Sequence, residues 1–270
     1  MPVIGTNVSA NTAVLYLNKN SAAQEESLSH LSSGSKIVKA SDDAAGLSIS
    51  TQLKSDISVL NQAATNAQQG QSVLSVADGA LANIGDILQR MKSLTAQSIS
   101  GSVDSTSRAY IDAEYTQLKT EIDDIVSTTR FNGVQLIDGT YNESYLVGTD
   151  AATDKIAVTM AFDIDAAGDL TSGVATSAAA TTASGQIDTM IGVVSSARST
   201  VGAYQSRLGF RENVINSSVE NLEAAKSAIT DTDIASEQTN YTTQQVLTEV
   251  ATAAVSQANN MLANLVSLVK

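Results

Sequence analysis

Residues 187–229 read IDTMIGVVSSARSTVGAYQSRLGFRENVINSSVENLEAAKSAI, and Ile187, Val194, Val201, Leu208, Ile215, Leu222 and Ile229 recur in them at a strict interval of seven. A seven-residue apolar repeat keeps one seam of a helix turned toward a partner helix, so this stretch predicts a coiled coil. The companion seam position is looser. Ile191 and Val219 fit it, whereas Arg198, Gln205, Glu212 and Lys226 are polar, and Met190, Ala197, Tyr204 and Ala225, one residue earlier, widen the stripe. A helix of this length spans about 65 Å and cannot bury its stripe alone.

A partner stands upstream. Leu53, Leu60, Ala67, Leu74, Leu81 and Leu88 also recur every seven residues, reinforced by Ile57, Ala64, Ile84 and Met91. The spacing predicts a helix over about 44–99, with Gly70, Gly79 and Gly85 inside it as places of close helix approach. A third helix is expected after Asp104, a good N-cap, carrying Ile111, Tyr115, Leu118, Ile122 and Ile125 at steps of four and three. It ends at Asn132-Gly133, a turn signal. The period then changes to two: Ile156, Val158, Met160 and Phe162 alternate with small or polar residues, which predicts a strand, with Tyr145-Leu146-Val147 as its hairpin partner. Residues 163–185 lack bulk and read as a short variable loop.

The two ends of the chain are helical in pattern and nearly uncharged. Residues 1–18 contain no Asp, Glu, Lys or Arg, and residues 240–270 contain only Glu249 and Lys270. Leu247, Val250, Ala254, Ala258, Met261, Leu265 and Leu268 form one stripe, and Val8, Leu15, Leu17, Leu28 and Leu31 a weaker one. Apolar ends on a chain of net charge −13 need somewhere to be buried, and the expected place is against other copies of the chain. The ends are expected to gain their order on assembly. The fold class is therefore mainly α: long antiparallel helices forming a coiled-coil rod, with a small β-hairpin region mid-chain over 131–162. The expected division is terminal inner-core helices, 1–43 and 231–270, and a helical rod, 44–230.

Composition narrows the function. There is no Trp and no Cys, with only 3 Phe and one proline, so the buried bulk is aliphatic, and disulfides and thiolate chemistry are excluded. The acidity is concentrated in the middle: residues 101–185 carry 13 acidic and 4 basic side chains, which marks a solvated region and excludes a basic nucleic-acid face. No apolar run approaches a membrane span, and no cleavable signal peptide is visible. His30 is the single histidine; without a second ligand it reads as a structural or surface residue rather than a metal or proton-transfer site. Asp42-Asp43 reads as a helix cap and Asp123-Asp124 as a solvated face. No nucleotide-binding, metalloprotease or serine-hydrolase pattern is present. No enzyme activity, catalytic residue, metal or cofactor is expected. The Ser/Thr-rich stretch 171–184 is a candidate O-glycan acceptor.

Several stretches carry a family resemblance. Ser32-Ser33-Gly34-Ser35-Lys36-Ile37 followed by Ala40-Ser41-Asp42-Asp43-Ala44-Ala45-Gly46-Leu47 resembles the N-terminal signature of bacterial flagellins. So do Thr129-Arg130-Phe131-Asn132-Gly133 with Leu136-Ile137-Asp138-Gly139, Ser196-Ala197-Arg198-Ser199-Thr200-Val201-Gly202-Ala203, and Ser256-Gln257-Ala258-Asn259 near the end. The resemblance covers about 1–160 and 186–270, with the motifs in family order.

This resemblance implies a structural subunit that self-assembles into the bacterial flagellar filament for motility, secreted unfolded by flagellar type III export to an extracellular filament. Its partners would be many copies of itself, the filament cap, junction proteins and an export chaperone, with no nucleic acid and no membrane. Polymerisation would use Val8, Leu15, Leu247, Val250, Ala254, Met261, Leu265 and Leu268. The rod seam would be Leu53, Leu60, Leu74, Leu81, Leu88, Val194, Val201, Leu208, Ile215 and Leu222. Leu88, Gln89, Arg90 and Leu94 match a stretch that an innate immune receptor reads in many flagellins, although Lys92 and Ser93 replace the family's usual arginine and glutamate; contact between subunits is the alternative role. The alternative function is a flagellin-like hook–filament junction protein.

Overall fold

The structure, a computed structural model, describes residues 7–162, 164 and 166–268. The chain divides into two compact units, Met1–Ser55 with Asn221–Lys270, and Asp56–Glu220. Its elements in chain order are α1 (Val8–Ser33), α2 (Ala44–Ile99), α3 (Ser105–Thr128), β1 (Arg130–Phe131), β2 (Val134–Gln135), β3 (Tyr141–Leu146), β4 (Lys155–Met160), α4 (Ala166–Asp169), α5 (Ser177–Thr230) and α6 (Ile234–Leu268). The mainly helical, antiparallel class expected from the periodicity is the one observed.

In the central unit α2 and α5 run antiparallel. Gln71 Nε2 donates to Glu212 at 3.1 Å, Arg198 Nε to Asp78 at 2.9 Å, and Lys92 Nζ to Asp188 at 2.5 Å. Between these rims Leu60, Leu74, Leu81 and Leu88 of α2 and Val194, Val201, Leu208 and Ile215 of α5 are buried; Leu53 and Leu222, which belong to the other unit, are half-buried. The companion seam of α5 is Met190 and Ala197, both buried, while Ile191 is only half-buried. Of the three helix-interior glycines only Gly70 marks close packing. A Cβ there would lie 3.0 Å from Leu208 Cδ1 and 3.3 Å from the Tyr145 ring, whereas at Gly79 and Gly85 it would meet nothing within 4 Å.

α3 begins where Asp104 accepts the Ser107 N–H at 2.9 Å, which satisfies one of the helix's orphan donors. Ile111, Tyr115 and Ile122 line its buried face. Two antiparallel strand pairs follow. β1 and β2 are joined across Asn132 and Gly133, both at positive φ (50° and 83°), as a two-residue hairpin turn requires. β3 pairs with β4 from Tyr141↔Met160 to Leu146↔Lys155. Ile156, Val158 and Met160 point inward and their neighbours outward, the alternation of a half-buried strand.

The stretch 163–185 differs from the expected loop. α5 begins at Ser177, and Ala180 and Ala183 are fully buried, continuing the seam of Ile187 and Met190 with small side chains. Ahead of it, Ile164, Leu170 and Val174 are buried anchors. The backbone between them is strapped down: Lys119 Nζ donates to the Leu170 carbonyl at 2.7 Å, the Val174 N–H to Asp112 at 2.6 Å, and Ser98 Oγ to the Val174 carbonyl at 2.5 Å.

In the terminal unit α1 packs against α6. Asn7 Nδ2 donates to the Ala258 carbonyl at 3.0 Å, and His30 Nδ1 lies 3.8 Å from Glu237 Oε1, so the helices are antiparallel. Both segments are helical along nearly their whole described length. Their seam is built from small side chains, Ala10, Ser27, Ala251 and Ala258, all buried.

Candidate self-assembly interface

A seam of alanine and serine brings α1 and α6 together without consuming their larger side chains. Val8 is 66% exposed, Leu15 64%, Leu247 42%, Val250 59% and Met261 52%; Ala254 is exposed as well. Tyr16, Leu28 and Val246 are also exposed. The side chains of Leu265 and Leu268 lie outside the described residues. A groove of about 660 Å³ runs along this surface, lined by Ala13, Tyr16 and Ala23 of α1 and by Leu247, Val250 and Ala254 of α6 among others. Fully burying one Val, Leu or Met side chain contributes about 1.5–3 kcal/mol. A contiguous apolar surface of this kind marks an interaction site.

The same unit holds the sharp connections. α1 ends at Gly34, whose φ of +70° is strained for any residue with a Cβ. Ser35 then bridges to Asp231, and the Lys36 N–H donates to the Thr230 carbonyl at 2.8 Å. Asp42 accepts the N–H groups of Lys39 and Val38 at 2.8 and 3.0 Å, which hold its carboxyl below its ordinary value. Asp43 caps α2 by accepting the Gly46 and Ala45 N–H groups, and Asp233 does the same for α6 at Ala235. Asp42 and Asp43 thus serve the turn and the helix start. Among the described residues no group of three His, Cys, Asp or Glu could hold a metal, and no helix is long and apolar enough to cross a membrane.

The stretch 88–94 sits on α2 in the central unit. Leu88 and Leu94 are buried there, so Gln89 and Arg90 alone of those four residues face solvent. Arg90 lies on Glu114 of α3 at 2.7 Å. Sequence reasoning missed two groups. The exposed aromatics Tyr110 and Phe210 lie off the predicted stripes and break no periodicity. Tyr115 lay on the predicted stripe, but its buried hydroxyl, without a hydrogen-bond partner among the described residues, had no signal.

Antiparallel end helices that pair through small residues and present their bulk outward are the geometry of a helical structural protein with an apolar face open to a partner. Residues 4–142 match the family described as the bacterial flagellin N-terminal helical region, and residues 185–269 the bacterial flagellin C-terminal helical region. The flagellar filament 33 kDa core protein of Treponema phagedenis is 34% identical over 99% of this chain and 100% of its own length. The flagellin of Bacillus subtilis is 34% identical, with 99% of each covered. Among solved structures, Bacillus cereus flagellin is 32% identical with a TM-score of 0.52, over 60% of this chain and 94% of that one. A putative flagellar hook-associated protein from Vibrio parahaemolyticus shares the fold, with a TM-score of 0.61 at 15% identity, over 70% of this chain and 100% of that one. The chain belongs to the bacterial flagellin family, and its function is that of a structural subunit of the flagellar filament.

Proposed function

We propose that the exposed faces of α1 and α6 are the surfaces on which subunits of this chain polymerise. The observation that carries this reading is the inversion of the usual helix pair: Ala10, Ser27, Ala251 and Ala258 are inside, and Val8, Leu15, Leu247, Val250 and Met261 are outside. Leu265 and Leu268 extend the same sequence stripe. One isolated pair gains little from such faces, because ordering a backbone costs about 1–2 kcal/mol per residue. Packing against several neighbours at once covers both faces and stabilises the ends.

In this reading the central unit is the rod whose α2–α5 seam keeps the subunit stiff, and the chain has no catalytic activity. Export proceeds through the flagellar type III apparatus to an extracellular filament, with a chaperone, the cap and junction proteins as transient partners. Any innate immune receptor contact falls on Gln89 and Arg90, because Leu88 and Leu94 are buried. The filament subunit is favoured over the junction protein by the near-complete coverage of curated flagellins at 34% identity, against fold-level likeness alone to the hook-associated protein.

Seeded growth followed by negative-stain electron microscopy tests this. Full-length protein should extend short filament seeds into long filaments, and a chain lacking 241–270 should not. Persistent monomers of the full-length chain under these conditions would overturn the filament reading.

A further inference from the structure

We infer that the α5 surface around Phe210 docks the exposed face of α3 from a second copy of this chain, an inference that rests on the filament reading above. Phe210 is 74% exposed on α5, one of only 3 Phe in the chain, and Val214, one turn on, is 55% exposed. With Val147 and Ile156 they line a cavity of about 340 Å³. Three cations border it, Arg207 one turn before Phe210, Arg211 just after it and Lys155 on β4, with one carboxylate, Asp154. Among the described residues the side chains of Arg207 and Lys155 have no ion-pair or hydrogen-bond partner, whereas Arg211 is engaged by Asp154 at 3.0 Å. An apolar socket with an uncompensated positive rim, on a chain of net charge −13, calls for a partner that brings an aromatic or aliphatic group together with carboxylates.

This chain presents that partner on α3. Tyr110, Glu114, Gln117, Glu121 and Asp124 follow one another at helical steps of four and three, and all are exposed. Tyr110 is 74% exposed. Glu114 is shared with Arg90; the carboxylates of Glu121 and Asp124 have no partner among the described residues. The stripe is about 21 Å long, enough to lay its aromatic end in the socket and its acids along the cationic rim.

The two faces do not meet within one subunit, where Phe210 and Tyr110 are each 74% exposed. Both lie in the central unit, where α5 contacts α2 at Gln71 through Glu212 and α3 contacts α2 at Arg90 through Glu114. These points are separated by about 28 Å of helix. Between copies the contact joins two different surfaces, so it is head-to-tail and leaves a free socket and a free stripe at the ends of every chain of subunits. Such a contact propagates rather than closes. Charge complementarity of this kind sets register and partner choice.

The absence of native cysteine makes the test clean. Filaments grown from a Phe210→Cys, Tyr110→Cys double variant and treated with a short bis-maleimide should give a ladder of covalent multimers on a denaturing gel. Filaments mixed from the two single variants should give dimers, and either single variant alone should give none. Normal filaments without cross-links overturn the inference and leave the filament reading standing; wild-type protein that never forms filaments removes both. If only the cysteine variants fail to assemble, charge reversal decides. Lys155→Glu with Arg207→Glu should slow elongation about tenfold, and adding Glu121→Lys with Asp124→Lys in the same chain should restore it. Unchanged elongation after the first reversal, or no restoration by the second, overturns the inference.

Discussion

Ser35 Oγ donates a hydrogen bond to the Thr230 carbonyl at 2.9 Å, joining two crossings of the chain 195 residues apart. The Lys36 N–H reaches the same carbonyl, and the Thr232 N–H returns to the Gly34 carbonyl at 3.1 Å. The clamp fixes where α1 ends and α6 begins. Ser35→Ala removes one of two donors to that carbonyl and should cost about 0.5–1.5 kcal/mol. Gly34→Ala, which places a Cβ on a left-handed backbone, should cost about 1–2 kcal/mol. Urea unfolding of the subunit, read by circular dichroism, checks both; an unchanged midpoint for Gly34→Ala would show that the turn does not need its positive φ.

Glycines in α2 should respond in opposite directions. Gly79→Ala and Gly85→Ala place a methyl in open space and should stabilise the subunit by about 0.5–1 kcal/mol through helix propensity. Gly70→Ala must displace Leu208 or Tyr145, since its Cβ falls within 3.0–3.3 Å of them. It should lower the thermal midpoint despite the same gain in propensity.

Acid should loosen the turns and caps before it touches the seams. Asp42, Asp104 and Asp231 are all held below their ordinary value of 3.8, the first by the N–H groups of Lys39 and Val38, the second by Ser107 and the third by Ser227 and Thr230. A carboxyl whose folded value is depressed contributes its stability above the unfolded value, and that contribution is lost as pH falls through the folded value. The thermal midpoint should therefore be flat above about pH 5 and fall below about pH 4. Asp104→Asn, which keeps a capping oxygen but no charge, should flatten part of that fall. An identical acid profile for wild type and Asp104→Asn would contradict the assignment.

Tyr115 is buried with no partner for its hydroxyl among the described residues, and burial, with the nearby Asp112 charge, pushes its titration up to about 12. Tyr115→Phe removes an unsatisfied polar atom while keeping the ring, and the outcome should be neutral to about 2 kcal/mol stabilising. A clear loss of stability in thermal unfolding would mean that the hydroxyl is satisfied.

The architecture was legible where bulk repeats. Leu74, Leu81 and Leu88 facing Val194, Val201 and Leu208 follow a seven-residue interval that only a packed helix pair explains. It was illegible where small residues carry the packing. Residues 177–185 contain no large apolar side chain, yet Ala180 and Ala183 continue the α5 seam. The stripe of Leu247, Val250, Ala258 and Met261 identified a helix with an apolar face, but of these only Ala258 packs inward, joined by Ala251, which lies off the stripe. Bulk in the terminal helices reports what the subunit leaves uncovered. Isolated anchors such as Leu170 and Val174 have no period and become visible only once Lys119, Asp112 and Ser98 are seen to hold their backbone.

Val250→Asp tests the account most directly. Val250 is 59% exposed in the subunit, so a charge there should leave helicity and thermal midpoint unchanged. In the filament it would be buried unpaired, a cost large enough to stop growth. Seeded elongation followed by electron microscopy should give long filaments from wild type and none from Val250→Asp at equal concentration of folded subunit. Val250→Asp filaments of normal length and number would contradict the claim that this face is where the subunits meet.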